Sequence, residues 1–356
     1  MNILHVIGTL EVGGAENLLI DLVKGLNDKG HLADVLVLKD SDGLEKKLLS
    51  SSTNQAKVFK LTKGSIYNPL LIFSIIPFLK NYDIVHVHLF PSIYWVVIAK
   101  LLSFSSVKLV YTEHSTRNRR REKWYFKFLD RFIYSFINLV ICITDGTYRS
   151  LRDHLNRDFN YEVIHNGIDL NKFRNASSGN EQYFRDKFKL IQIANFKPAK
   201  DQMTVLKALK SLREEICLLL VGDGELRATL EDFVAENKLE NRVLFLGIRL
   251  DIPELLLLSD VVVQSSYYEG FGLAAVEGMA SRKPVLASDV SGLNEVVRDY
   301  GLLFEQGNSN ELAKLIEELY SNSEYYDLVK ERCFARSKDY SIELMINKYI
   351  ICYEKS

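Results

Sequence analysis

The residues best suited to chemistry in this chain are two glutamates, Glu269 and Glu277, on either side of Gly270-Phe271-Gly272-Leu273-Ala274-Ala275-Val276. Residues 261–263, all valine, read as a buried strand before them; residues 285–287 read as another, after Met279 and Pro284. A strand, a glycine-bearing turn and a helix N-terminus together make an anion site. The first N–H groups of the helix are unpaired and lie at the positive end of its dipole. Glu277 falls about a turn and a half into that helix, too far along to cap it. Glu269 precedes the turn and reaches the opposite side of a ligand. A diphosphate at the N–H groups, with a hydroxylated group on each side, satisfies all three features, and that is the chemistry of a nucleotide-sugar. As an isolated pair the glutamates would fit a strand end and a solvated helix face; the glycines and small alanines between flanking strands favour the ligand site.

The elements that must hold such a site alternate along the chain. Residues 3–7, 33–38, 84–88, 108–112 and 139–143 read as short apolar strands, and 15–29, 93–102 and 125–136 as helices. The first helix carries Leu18, Leu19, Leu22, Val23 and Leu26 at helical spacing. After a polar stretch at 175–181 the pattern restarts, with strands at 190–194, 217–221 and 243–246 and helices at 203–212 and 226–236. Continuous apolar strands separated by helices imply parallel sheets covered on both faces. The chain therefore reads as α/β, two Rossmann-like doubly wound domains facing a central cleft, with ligands at the carboxyl ends of the strands. Residues 341–356 form an amphipathic helix, with Leu344, Ile346, Tyr349, Ile350 and Tyr353 at rough helical spacing.

Other constellations sit at strand ends. Gly13-Gly14 opens the first helix; glycines there admit a phosphate or sugar to the backbone, or simply make a tight turn. No Lys-Ser or Lys-Thr follows, and Gly-x-Gly-x-x-Gly is missing, which argues against nucleotide hydrolysis and against a dinucleotide dehydrogenase. His114 follows the strand 108–112. A neutral imidazole there can hydrogen-bond a sugar hydroxyl and stabilise developing positive charge, a structural histidine being the alternative. His86 and His88 alternate along a strand; one of them reads as a packed histidine and neither as a metal ligand. Asp223-Gly224 is either a turn with an N-cap or a ligand contact. Residues 117–136 interleave Arg117, Arg119, Arg120, Arg121, Lys123, Lys127 and Arg131 with Trp124, Tyr125, Phe126, Phe128 and Phe132. This is either a solvated basic loop leading into a core-facing helix or a face for anionic lipid. In the second reading Arg119, Arg120, Arg121 and Trp124 meet headgroups or a lipid pyrophosphate.

Composition narrows the classes. A chain of 356 residues suits two domains of about 150–200 residues. With 47% hydrophobic and 26% charged residues it can bury large cores, and a net charge of -1 gives no basic field for nucleic acid. Cys142, Cys217, Cys333 and Cys352 lack Cys-x-x-Cys spacing and read as free thiols in a reducing compartment. Residues 70–79, the longest apolar run, are too short to span a bilayer and contain Pro77. The N-terminus begins directly on a strand, without the charged segment of a signal peptide. These features place the protein in the cytoplasm, with room for a peripheral position on the inner face of the membrane. With no cluster of His, Asp and Glu at metal-ligand spacing, no metal and no cofactor are expected.

Taken in order, Gly13-Gly14-Ala15-Glu16, Glu113-His114-Ser115, His165-Asn166-Gly167-Ile168-Asp169, Lys200-Asp201, Val221-Gly222-Asp223-Gly224-Glu225 and the segment 269–277 resemble one family. It is the retaining glycosyltransferases of GT-B fold with the paired-glutamate motif, which include bacterial polysaccharide and lipid-glycan transferases. The resemblance covers essentially the whole chain, and the paired glutamates are its most specific part. It implies an acceptor-side domain at 1–168, onto which 341–356 crosses back, and a donor-binding domain at 169–340. Glu277 would hold ribose hydroxyls and Glu269 the donor sugar, with Gly13, Gly14, Gly270, Phe271, Gly272 and Leu273 along the donor. Lys200 would neutralise the diphosphate, although Asn195 stands where arginine is common. Gly222, Gly224, Gly247 and Ile248 would surround the base, and His114 with Glu269 would carry catalysis. Front-face attack, with the donor phosphate taking the acceptor proton, is the mechanism so implied. The partners would be a nucleotide-sugar and a glycan or lipid-linked acceptor, as in surface polysaccharide synthesis, with hexosyl or N-acetylhexosaminyl transfer and no metal. A nucleotide-sugar epimerase and a non-catalytic nucleotide-sugar-binding scaffold are the rival readings.

Overall fold

The computed structural model describes residues 1–11, 13–41, 45, 48, 56–177 and 183–355, with the side chain of residue 119 excepted. Part of the polar stretch expected between the domains, 178–181, lies outside them. The chain divides into two compact units: Met1–Gly167 with Ile342–Ser356, and Ile168–Ser341.

The first unit holds a parallel sheet of β1 (Asn2–Ile7), β2 (Leu32–Lys39), β3 (Val58–Thr62), β4 (Ile84–His88), β5 (Lys108–Glu113), β6 (Leu139–Cys142) and β7 (Tyr161–Val163), in the spatial order β3-β2-β1-β4-β5-β6-β7. Alternation along β1 decides which layer each residue joins. Ile3 and Ile7 join the core of the helix Gly14–Asp28, while Leu4 and Val6 pack with the helix Ser92–Ser103 on the other face. Each such aliphatic side chain contributes roughly 1.5–3 kcal/mol over leaving it exposed. The last helix, Ile342–Lys355, buries Met345, Ile346, Tyr349 and Tyr353 in the same layer as Gly14–Asp28.

The second unit holds β8 (Phe188–Ile193), β9 (Ile216–Val221), β10 (Val243–Gly247), β11 (Val261–Gln264), β12 (Val285–Ser288) and β13 (Leu302–Phe304), ordered β10-β9-β8-β11-β12-β13. In both sheets the chain winds outward from its first strand in one direction, then returns to build on the other side. The reversal lies between β1 and β4 in the first unit and between β8 and β11 in the second. In doubly wound sheets such a reversal, at the carboxyl ends of the strands, is the usual place for a ligand.

Candidate functional site

In the second unit, the loops after β8 and β11 meet across that reversal. Lys200 leaves the first loop and Glu269 the second, and the Lys200 Nζ is ion-paired with a Glu269 carboxylate oxygen, the side chains being 24% and 17% exposed. Two further bonds hold the loops together, and a third fixes Lys200 to β8. The Tyr267 N–H donates to the Ala199 carbonyl at 2.9 Å, Ser265 Oγ donates to Asp201 Oδ2 at 2.9 Å, and Gln192 Nε2 donates to the Lys200 carbonyl at 2.8 Å. A flexible lysine is thereby presented from a bonded frame.

Beyond Glu269 the chain turns at Gly272, whose φ of 93° lies in the left-handed region, and enters the helix Leu273–Ala280. No side chain caps this helix start, so its first N–H groups remain available to an anion. Gly292, which no motif singled out, fixes the turn from behind. A Cβ there would lie 2.5 Å from the Glu269 carbonyl oxygen and 2.6 Å from that of Gly270, so any side chain would displace the loop. Glu277 sits half-buried on the helix, and Leu273 half-buried at its start. The Phe271 ring is buried edge-on against Tyr340.

The loops expected around a base are tied through main chain. The Gly222 N–H donates to the Gly247 carbonyl at 2.8 Å, and the Phe196 N–H to the Asp223 carbonyl at 2.9 Å. Asp223 accepts from the Gly224 N–H at 2.7 Å and pairs with Arg227 at 3.1 Å, so its carboxylate serves the turn. Ile248 is 71% exposed, and Asn195 is exposed with its carbonyl accepting from Gln202 Nε2 at 3.0 Å.

In the first unit, Gly13 precedes the helix Gly14–Asp28, and the Glu16 carboxylate folds back over it, within 2.2 Å of where a Cβ would stand. His114 follows β5 and its Nε2 lies 3.4 Å from His88 Nδ1; burial pushes the His114 pKa down to about 4, so the ring is neutral near pH 7. His86 is hydrogen-bonded at both ring nitrogens, to Tyr353 at 2.6 Å and Thr112 at 2.7 Å, which makes it a packed histidine. Asp40-Ser41-Asp42 is an Asp-x-Asp sequence; Asp40 pairs with Lys60 at 2.8 Å, and residue 42 lies outside the described residues.

Two of the three arginines expected at lipid headgroups are buried instead. Arg120 and Arg121 do not face outward: their side chains are 6% and 8% exposed. Arg120 lies 3.6 Å from Asp130 and 4.6 Å above the Phe90 ring, and Arg121 is ion-paired with Glu113. Asp130, itself bonded to His154 at 2.8 Å, and Glu113 supply the counter-charge that makes this burial possible. The Arg119 side chain lies outside the described residues. Trp124 is 76% exposed.

Residues 12–172 match the family model described as Glycosyltransferase Family 4, and residues 174–334 the one described as Glycosyl transferases group 1. An uncharacterized glycosyltransferase of Methanocaldococcus jannaschii is 30% identical over 284 residues, 77% of this chain and 75% of that protein. The UDP-Gal:alpha-D-GlcNAc-diphosphoundecaprenol alpha-1,3-galactosyltransferase of Escherichia coli is 30% identical over 238 residues, 62% of this chain and 61% of its own. Among solved structures, Anabaena HepE in complex with UDP-glucose superposes with a TM-score of 0.87 at 25% identity, covering 100% of both chains. The chain therefore belongs to the group 1 glycosyltransferases of GT-B fold, with two parallel-sheet α/β domains.

Proposed function

We propose that this glycosyltransferase moves a sugar, with retention at the anomeric carbon, from a nucleoside diphosphate sugar to a hydroxyl of a glycan or lipid-linked acceptor. The observation that carries the reading is the Lys200–Glu269 pair beside the uncapped start of the helix Leu273–Ala280. A diphosphate entering there takes over Lys200 as its counter-ion and accepts from the helix N–H groups. Glu269, released from the lysine, accepts hydroxyls of the transferring sugar, and Glu277 accepts those of the ribose. Neutral His114 contacts the sugar as the glycosidic bond breaks, and the donor phosphate takes the acceptor proton. The UDP-glucose of the HepE complex and the diphosphoundecaprenol substrate named for the Escherichia coli relative support these donor and acceptor classes, and with them surface polysaccharide synthesis. Lys200 and the helix dipole supply the leaving-group charge, so the transfer is read as metal-independent. Incubation with a panel of nucleotide-sugars in excess EDTA tests this. Free nucleotide should accumulate slowly, and the product formed with an acceptor should keep the donor's anomeric configuration by NMR. An isomerised donor, binding without turnover, or an absolute need for Mg²⁺ would contradict the reading.

We also propose association with an anionic membrane surface, now carried by aromatic side chains rather than by Arg120 and Arg121. On the helix Trp124–Tyr134, Trp124, Phe128 and Phe132 are 76%, 63% and 53% exposed and share one face at four-residue spacing. Lys123, Lys127 and Arg131 run beside them, one position earlier in each turn. Rings at the interface with cations at its rim suit a bilayer carrying negative headgroups. Among the described residues, no helix is long and apolar enough to cross a membrane. Trp124 fluorescence should shift blue on vesicles containing phosphatidylglycerol; an unchanged spectrum and no co-sedimentation would remove the membrane reading.

A further inference from the structure

The reversal in the first sheet is lined by histidines. His5 on β1 stands in register with His86 on β4, and His88 follows two residues on, so all three side chains project from one face of the sheet. That face is the apolar layer under the helices Gly14–Asp28 and Ile342–Lys355, and the three rings are 0%, 0% and 2% exposed. His86 is satisfied by Tyr353 and Thr112, with Tyr349 behind Thr112 at 3.3 Å. The other two form a line that leads outward. His5 Nδ1 lies 3.0 Å from His88 Nε2, and His88 Nδ1 lies 3.4 Å from His114 Nε2. At its inner end, His5 Nε2 is buried with no hydrogen-bond partner among the described residues.

Burial holds His5, His88 and His114 below the ordinary imidazole pKa, that of His5 at about 3. Glu113 beside His114 favours the charged ring, but it is engaged with Arg121 and burial outweighs it. Each ring is therefore neutral, with one N–H and one bare nitrogen. A row of such rings has two arrangements, with all its N–H groups pointing inward or all pointing outward. Inward polarity places the last N–H on His5 Nε2, where nothing accepts it; outward polarity leaves a bare nitrogen there, and a buried orphan N–H is the rarer defect.

We propose that His88, backed by His5, is a positioning residue that sets the tautomer of His114. His5 Nδ1–H donates to His88 Nε2, His88 Nδ1–H donates to His114 Nε2, and His114 keeps its proton on Nδ1. His114 then meets its ligand as a hydrogen-bond donor and not as a base. This deepens the proposed contact between His114 and the transferring sugar and rests on that reading only for its catalytic part.

The test is nitrogen-15 NMR of the full-length protein carrying labelled histidine, without substrate, with His114 assigned through His114→Gln. The expected pattern is a neutral His114 protonated at Nδ1 and unchanged between pH 5.5 and 8. Protonation at Nε2, or titration near pH 6.5, would overturn the proposal without touching the assigned reaction. Stoichiometric zinc in the purified protein, with metal-shifted His5 and His88 signals, would also overturn it, since the donor nitrogens of His5, His86 and His88 lie within 4.8 Å of one another. In His88→Leu the His114 tautomer should be lost and turnover should fall about ten- to a hundredfold with little change in donor KM. His88→Asn, whose amide N–H can stand in for Nδ1–H, should recover both. A lost tautomer with normal turnover would contradict only the catalytic use of His114.

Discussion

The two units share one winding order and place opposite chemistry at its turning point. Between β8 and β11 the second unit sets a charged pair, Lys200 and Glu269, partly open to solvent beside an uncapped helix. Between β1 and β4 the first unit sets His5, His86 and His88, buried and neutral. All seven histidines of the chain fall in the first unit and none between Ile168 and Ser341. On the proposed reading, the same topology serves anion neutralisation in one place and the aiming of an uncharged donor in the other. Which of the two it serves is decided by loop and strand-end residues, not by the sheet.

The sharpest way to break this comparison is to remove the charge from the second unit. Lys200→Met should lower kcat/KM for the nucleotide-sugar at least about a hundredfold, because charge-assisted bonds are worth roughly 1.5–3 kcal/mol each and Glu269 would face the diphosphate unpaired. Lys200→Arg, which keeps the charge, should recover most of that loss. Unchanged steady-state kinetics in Lys200→Met would detach the ion pair from the donor.

Removing the neutral donor in the first unit should be the next largest effect. His114→Ala is expected to lower kcat by about a hundredfold with KM nearly constant, since its contact strengthens as the bond breaks. A raised KM at constant kcat would reduce His114 to a binding residue. Glu277→Ala should weaken nucleotide-sugar affinity about tenfold or more by calorimetry, and Glu277→Gln less, because the amide still accepts one hydroxyl. Equal affinity in a folded Glu277→Ala protein would take Glu277 out of the site.

The smallest effect separates the units by pH. Rings held below their ordinary pKa stay neutral in the fold, while the unfolded chain takes up protons below about pH 6.5. Stability of the first unit should therefore fall as pH drops from 6.5 towards 4, where His114 itself protonates. The second unit, lacking histidine, has no such contribution. Amide exchange, corrected for intrinsic rates, should show greater loss of protection in the first unit between pH 7 and 5; equal loss in both would contradict the comparison.

How much of this was legible in the sequence depended on whether the signal was local. Central strands such as β1, β5 and β9 announce themselves because both faces are buried and the apolar run is continuous. The edge strands β3 and β7 are half-exposed and short, and left no such run. Residues 255–258 belong to the helix Ile252–Leu258, an apolar stretch that periodicity cannot separate from a strand. Glu269, Glu277 and Lys200 stood out because glycines and strand ends frame them, and the fold pairs Lys200 with Glu269. The arginines misled because their partners, Glu113 and Asp130, are supplied by the tertiary fold, and three adjacent cations carry no sign of it. His5 stood alone in its segment, and its register with His86 emerges only from strand pairing.

The central claim is that the donor diphosphate sits at the second unit's reversal, on the start of the helix Leu273–Ala280, and not at the matching position in the first. Hydrogen exchange with and without a saturating nucleoside diphosphate tests it directly. Slowed exchange in peptides covering 266–276 and 196–202, larger than any change at residues 8–16, is the predicted result. Protection at 8–16, with 266–276 unaltered, would contradict the account.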